Sequence, residues 1–120
     1  MAISNIDRNY QPAVPSYAAA DASPKHGYGW LRFELTMTVT QGQHDLEPAF
    51  YIADALGEHY ILGSLFGLDP ACKDTGAWGV YGPGETLGPV PMCVQVAASG
   101  PLTLRWTSSQ TYQSIEVKFP

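Results

Sequence analysis

The alternation of apolar and polar positions is strictest in residues 30–40, WLRFELTMTVT. Leu31, Phe33, Leu35, Met37 and Val39 share one side, and Arg32, Glu34, Thr36, Thr38 and Thr40 share the other. Successive side chains of a strand point to opposite faces, so this period of two predicts a strand with one face on the core and one in water. On that wet face an Arg32–Glu34 ion pair is worth little.

Residues 48–67, PAFYIADALGEHYILGSLFG, predict a hairpin around which the domain is organised. Gly57-Glu58 reads as the two-residue loop of a type II′ turn, whose first position needs a positive φ. That turn sets Leu56 opposite His59, Asp54 opposite Ile61 and Phe50 opposite Leu65. One face then carries Phe50, Ile52, Leu56, Ile61 and Leu65, and the other Ala49, Tyr51, Ala53, Ala55, Tyr60, Leu62 and Phe66. Neither face is polar, so both are expected to be covered. A second sheet would cover one; the N-terminal arm, the loop at 68–91 or another subunit would cover the other.

The remaining segments complete an all-β reading. Residues 1–29 are punctuated by Pro12, Pro15, Pro24, Gly27 and Gly29 and predict an extended arm, with Ile3, Ile6, Tyr10, Val14 and Tyr17 as apolar footholds on its own sheet or a neighbouring subunit. Residues 68–91 hold five glycines and four prolines, too many for a helix or a central strand, and predict a long loop with at most an edge strand at 77–81. Strands follow at 92–98 and 102–107, and a last one sets Ile115, Val117 and Phe119 against Ser114, Glu116 and Lys118. The expected fold is an antiparallel β-sandwich, jelly-roll or immunoglobulin-like, of about six to seven strands, with an N-terminal arm at 1–29 and a single domain at 30–120.

Composition narrows the function classes. The 120 residues include 45% hydrophobic and only 14% charged side chains, and the net charge is −5. Scattered basic residues and an acidic balance argue against nucleic acid. No apolar run is long enough for a membrane-spanning helix, and the first residues lack the basic start and apolar core of a secretory signal. The expectation is a soluble chain, cytoplasmic or part of an extracellular particle. Cys72 and Cys93, the only cysteines, admit either one disulfide or two free thiols.

No catalytic, metal or cofactor motif emerges. The GAWGVYGPGE stretch lacks the Lys and following helix of a phosphate loop, and His26, His44 and His59 share no short ligand spacing. Asp54 stands out as the one charge in the hairpin's strands, with His59 near enough to partner it; a gatekeeper against edge-to-edge pairing is the plainer account. Trp78 and Tyr81, set among glycines with Asp74 and Glu85, have the composition of a sugar site; an aromatic plug closing one end of the fold is the plainer account, because large rings bury so much area. The expected function is therefore non-enzymatic: a structural module that self-associates or decorates a particle, its partner a protein or its own copy. A glycan- or small-ligand-binding module using residues 68–91 is the alternative.

Overall fold

The computed structural model describes residues 1–18, 20, 22–46, 50–61, 69–72, 78–108 and 114–120. Among them are nine strands: β1 (Ala2–Asp7), β2 (Tyr28–Thr38), β3 (His44–Asp45), β4 (Phe50–Asp54), β5 (Gly57–Tyr60), β6 (Val80–Tyr81), β7 (Thr86–Ala97), β8 (Thr103–Thr107) and β9 (Ser114–Lys118). All pairings are antiparallel. They make a three-stranded sheet in the order β1-β2-β7, a four-stranded sheet in the order β5-β4-β8-β9, and the short pair β3-β6. Short 3-10 turns at Ser16–Ala18 and Pro70–Cys72 are the only helical pieces among the described residues. The all-β, antiparallel reading holds; the nine strands exceed the six or seven expected.

The period-two pattern of β2 places its side chains as the sequence requires. Leu31, Phe33 and Leu35 are fully buried, and Met37 and Val39 nearly so. Facing them across the ladder of β2 and β7 are Val94, Met92, Val90 and Leu87, which lie on the same side. Phe50 and Ile52 of β4 and Leu104 and Trp106 of β8 supply the inner side of the other sheet, and all of these residues form one hydrophobic cluster. At roughly 1.5–3 kcal/mol for each large side chain removed from water, this cluster is the main stabilising term.

The hairpin turns two residues earlier than predicted. Asp54 pairs with Gly57, Ile52 with His59 and Tyr51 with Tyr60, so the loop is Ala55-Leu56 and not Gly57-Glu58. Gly57 still adopts a positive φ of 126°, but as the residue that leaves the turn. Moving the turn by two residues shifts each cross-strand partner by four, an even number, and so preserves the faces. Phe50, Ile52 and Ile61 therefore point into the core as expected, whereas Leu56, at the turn, is 50% exposed. The hairpin's outer face was expected to be covered, yet Tyr60 is 64% exposed and Tyr51 half-buried. Leu62, Leu65, Phe66 and Ala49, assigned to these faces from the sequence, lie outside the described residues.

The N-terminal residues begin in a strand. β1 runs along β2 with Ile3 opposite Leu35, then gains one residue between Ser4 and Asp7. Asn5, with φ of 49°, occupies that bulge, and the extra residue lets both Ile3 and Ile6 pack on the core. The chain then crosses the outer side of β2, where Tyr10 and Val14 close over Trp30, itself only 4% exposed. The face of β2 assigned to water is thus covered at its first half by the protein's own N-terminal residues.

The glycine- and proline-rich region is also more regular than predicted. β7 starts at Thr86, inside the supposed loop, and carries Pro89 and Pro91 because it is an edge strand of its sheet. Its register slips opposite the Leu35–Met37 stretch, where Gly88 has φ of 101° and a side chain would meet the Leu35 carbonyl oxygen at 2.2 Å. Only glycine fits there. The predicted edge strand at 77–81 is reduced to Val80–Tyr81, paired with β3.

Candidate interaction surfaces

The two open alternatives for the cysteines resolve into a disulfide. Cys72 and Cys93 are bonded, with Cα atoms 5.6 Å apart, and both are buried. Cys93 lies opposite Arg32 on the outer side of β2 and β7, so the bridge pins the 69–72 segment onto that side. Asp69, 1% exposed, completes the attachment. Its carboxyl oxygens accept hydrogen bonds from the Tyr10 hydroxyl at 2.6 Å, the Ala13 N–H at 3.0 Å and the Ala71 N–H at 2.9 Å. Burial first, and then this bond to Asp69, push the Tyr10 pKa up to about 12. Nothing in the local sequence of Asp69 distinguishes it from a turn residue; its partners lie 56 and 59 positions away.

Asp54 and His59 do come together. Both fall on the inner side of the hairpin, with Asp54 Oδ1 2.9 Å from His59 Nε2 and the Asp54 side chain wholly enclosed. Asp54 also accepts the N–H groups of Leu56 and Ala97, each at 2.7 Å. Burial raises its pKa, but the Ala97, His59 and Leu56 hydrogen bonds outweigh it and hold the carboxyl below its ordinary value. His59 in turn meets the Tyr28 ring edge to face at 5.7 Å. All this geometry is that of a structural tie.

Three of the four residues of the predicted sugar site are described. Trp78 is half-buried, packs on the core and lies 5.8 Å from Phe50 ring to ring, and Tyr81 also packs on the core. Glu85 is exposed and accepts the Gly82 N–H at 2.8 Å, closing the turn at 82–85. Asp74 lies outside the described residues. Of the proposed arm footholds, Ile3, Ile6, Tyr10 and Val14 are partly buried against this chain's own residues, whereas Tyr17 is 81% exposed.

A serine–histidine contact also occurs. His44 Nε2 donates to the Gln41 carbonyl at 2.9 Å, which leaves Nδ1 to accept from the Ser108 hydroxyl at 3.2 Å. A nucleophile must be reachable, and Ser108 is 1% exposed. Among the described residues no group of three His, Cys, Asp or Glu is placed to hold a metal, and no helix is long and apolar enough to cross a membrane.

The surface that sequence reading missed is the outer side of the four-stranded sheet. The registers β5-β4, β4-β8 and β8-β9 place Tyr60, Tyr51, Arg105 and Glu116 in one row across all four strands. The tyrosine rings lie 5.8 Å apart, the Arg105 guanidinium stands 6.0 Å from the Tyr51 ring centre, and Arg105 Nε is 2.7 Å from Glu116 Oε1. Tyr51 and the Glu116 carboxylate both raise the Arg105 pKa. Alternation alone puts Tyr51 and Tyr60 on one face; only the pairing of β4 with β8 brings in Arg105. Neither a protein-family model nor a curated protein nor a solved structure matches this chain.

Proposed function

We propose that the protein is a non-enzymatic assembly module: an antiparallel β-sandwich of jelly-roll or immunoglobulin-like kind that self-associates or decorates a larger particle. The observation that carries this reading is the row Tyr60–Tyr51–Arg105–Glu116, exposed at its two ends and half-buried at its middle. The two sheets are treated unequally. The outer side of β2 and β7 has its own cover of N-terminal residues, Asp69 and a disulfide, while on the equivalent side of the four-stranded sheet no such cover is found among the described residues, and Tyr60 and Glu116 are exposed there.

Tyrosine and arginine are the residues that most often carry binding energy at protein interfaces, because each presents a large, stiff contact area with a polar end. The row is also self-complementary, with rings at one end and a paired cation and anion at the other. A second copy turned by a two-fold axis through the middle of the row sets its Arg105 against this copy's Tyr51 and its Tyr51 against this copy's Arg105. The low share of charged side chains fits a surface that is partly shared with a partner.

Sedimentation equilibrium over a hundredfold concentration range tests the reading. The wild-type chain should gain mass with concentration, and Tyr60→Asp should remain a monomer while melting at the same temperature, since Tyr60 is exposed. A wild type that stays monomeric at the highest concentration would sink self-association.

A further inference from the structure

We infer that the protein carries a saccharide-binding cleft formed between its N-terminal residues and the start of β2. The cleft has a volume of about 460 Å³ and is lined by the aromatic residues Tyr10, Tyr28 and Trp30, by Val14, and by the exposed Asn9 and Gln11. This is a different place from residues 68–91, and it lies on the opposite sheet from the tyrosine–arginine row, so the two readings stand or fall separately.

Three features select the ligand. First, Tyr28 is half-buried and its ring is steadied by His59, which Asp54 holds in turn. A ring fixed in this way is a platform for the apolar C–H face of a pyranose, with no ordering cost on binding. Second, the Asn9 side-chain amide makes no hydrogen bond to another described residue, and among the described residues the Gln11 amide reaches only the Asn9 carbonyl, at 3.4 Å. Carboxamides both donate and accept, as sugar hydroxyls do. Third, two of the cleft's three ring donors, which a proline-rich peptide would need for its backbone carbonyls, are used internally. The Trp30 indole N–H donates to the Ala22 carbonyl at 2.6 Å, and the Tyr10 hydroxyl donates to Asp69. Arg8, also at the cleft, is the one charged side chain among its described lining residues, and it already donates to the Gly100 and Ala97 carbonyls. An aromatic lining, exposed amides and little charge suit a hydroxyl-rich ligand better than a peptide or a strong anion.

A printed array of neutral and acidic glycans, followed by calorimetric titration of the strongest hit, tests the inference on the whole chain. Binding should weaken about tenfold or more in Tyr28→Ala, as expected for loss of a stacked ring, and severalfold in Asn9→Ala. Asn9→Ala changes an exposed side chain and covers the case in which Tyr28→Ala does not fold. Val80→Thr, on a distant exposed strand, should bind as the wild type does. A blank array, a hit that neither substitution weakens, or binding of a proline decapeptide in place of any glycan would overturn it.

Discussion

Asp54, at the end of β4, accepts the backbone N–H of Ala97, the last residue of β7, at 2.7 Å. One carboxyl group thereby fastens the hairpin of the four-stranded sheet to the three-stranded sheet, while its second oxygen holds the hairpin turn through Leu56 and receives His59. With its side chain wholly enclosed, the group is worth more than a surface charge.

Asp54→Asn should therefore cost about 2 kcal/mol at pH 7, the scale of a hydrogen bond to a charged group that is lost or weakened. The folded pKa lies below the ordinary 3.8, so the stabilisation is complete above that value and is lost as pH falls through the folded pKa. Denaturant unfolding of both chains at pH 7 and pH 2 should show a gap at the first pH that narrows at the second. An equal gap at both would mean that the charge contributes nothing.

Tyr10 carries the opposite dependence. An unfolded tyrosine ionises near 10.0, and in the fold this one holds its proton to about 12. Its contribution is complete below pH 10 and is lost as pH rises from there toward 12. Absorbance titration at 295 nm should show one late-ionising tyrosine that is missing from Tyr10→Phe, and the Phe variant should lose less stability between pH 10 and 11.

The Cys72–Cys93 bond closes a loop with a sequence separation of 21 residues. In the chain-entropy model such a loop is worth about 3 kcal/mol. Reduction, or the double change Cys72→Ala and Cys93→Ala, should lower the unfolding free energy by about that amount. Denaturant melts monitored by circular dichroism, with and without dithiothreitol, read this directly; identical midpoints would contradict it.

Two glycines should respond unequally to alanine. At Gly57 nothing lies within 4 Å of a new Cβ, so the cost is the positive φ alone, about 1 kcal/mol. At Gly88 the same φ penalty is joined by a clash at 2.2 Å with the Leu35 carbonyl of the neighbouring strand. Gly88→Ala should cost about 3 kcal/mol or more, or leave no folded protein. Thermal melts of the two variants rank them. A Gly57 variant that is the less stable of the pair would restore the turn predicted from sequence.

The sequence by itself determined the class of the fold and the orientation of β2. Period-two alternation in β2 is a local property, and it correctly set Leu31, Phe33 and Leu35 inward. It likewise put Phe50, Ile52 and Ile61 on one face of the hairpin, and that assignment survived a turn two residues away from the expected one, because the resulting partner shift of four is even and keeps every side chain on its own side. Pairing between distant strands is not local. Alternation does not say that β1 joins β2, that β7 extends back through Pro89 and Pro91, or that Arg105 stands beside Tyr51.

Covering is not local either. Both faces of the hairpin read as apolar, yet the N-terminal residues settled over Trp30 on the other sheet. They are held there by Asp69 and flanked by a disulfide whose partners no spacing rule selects. Tertiary structure alone decided which face is sealed and which leaves Tyr60 exposed, because that choice depends on hydrogen bonds and apolar area gained between segments far apart in the chain.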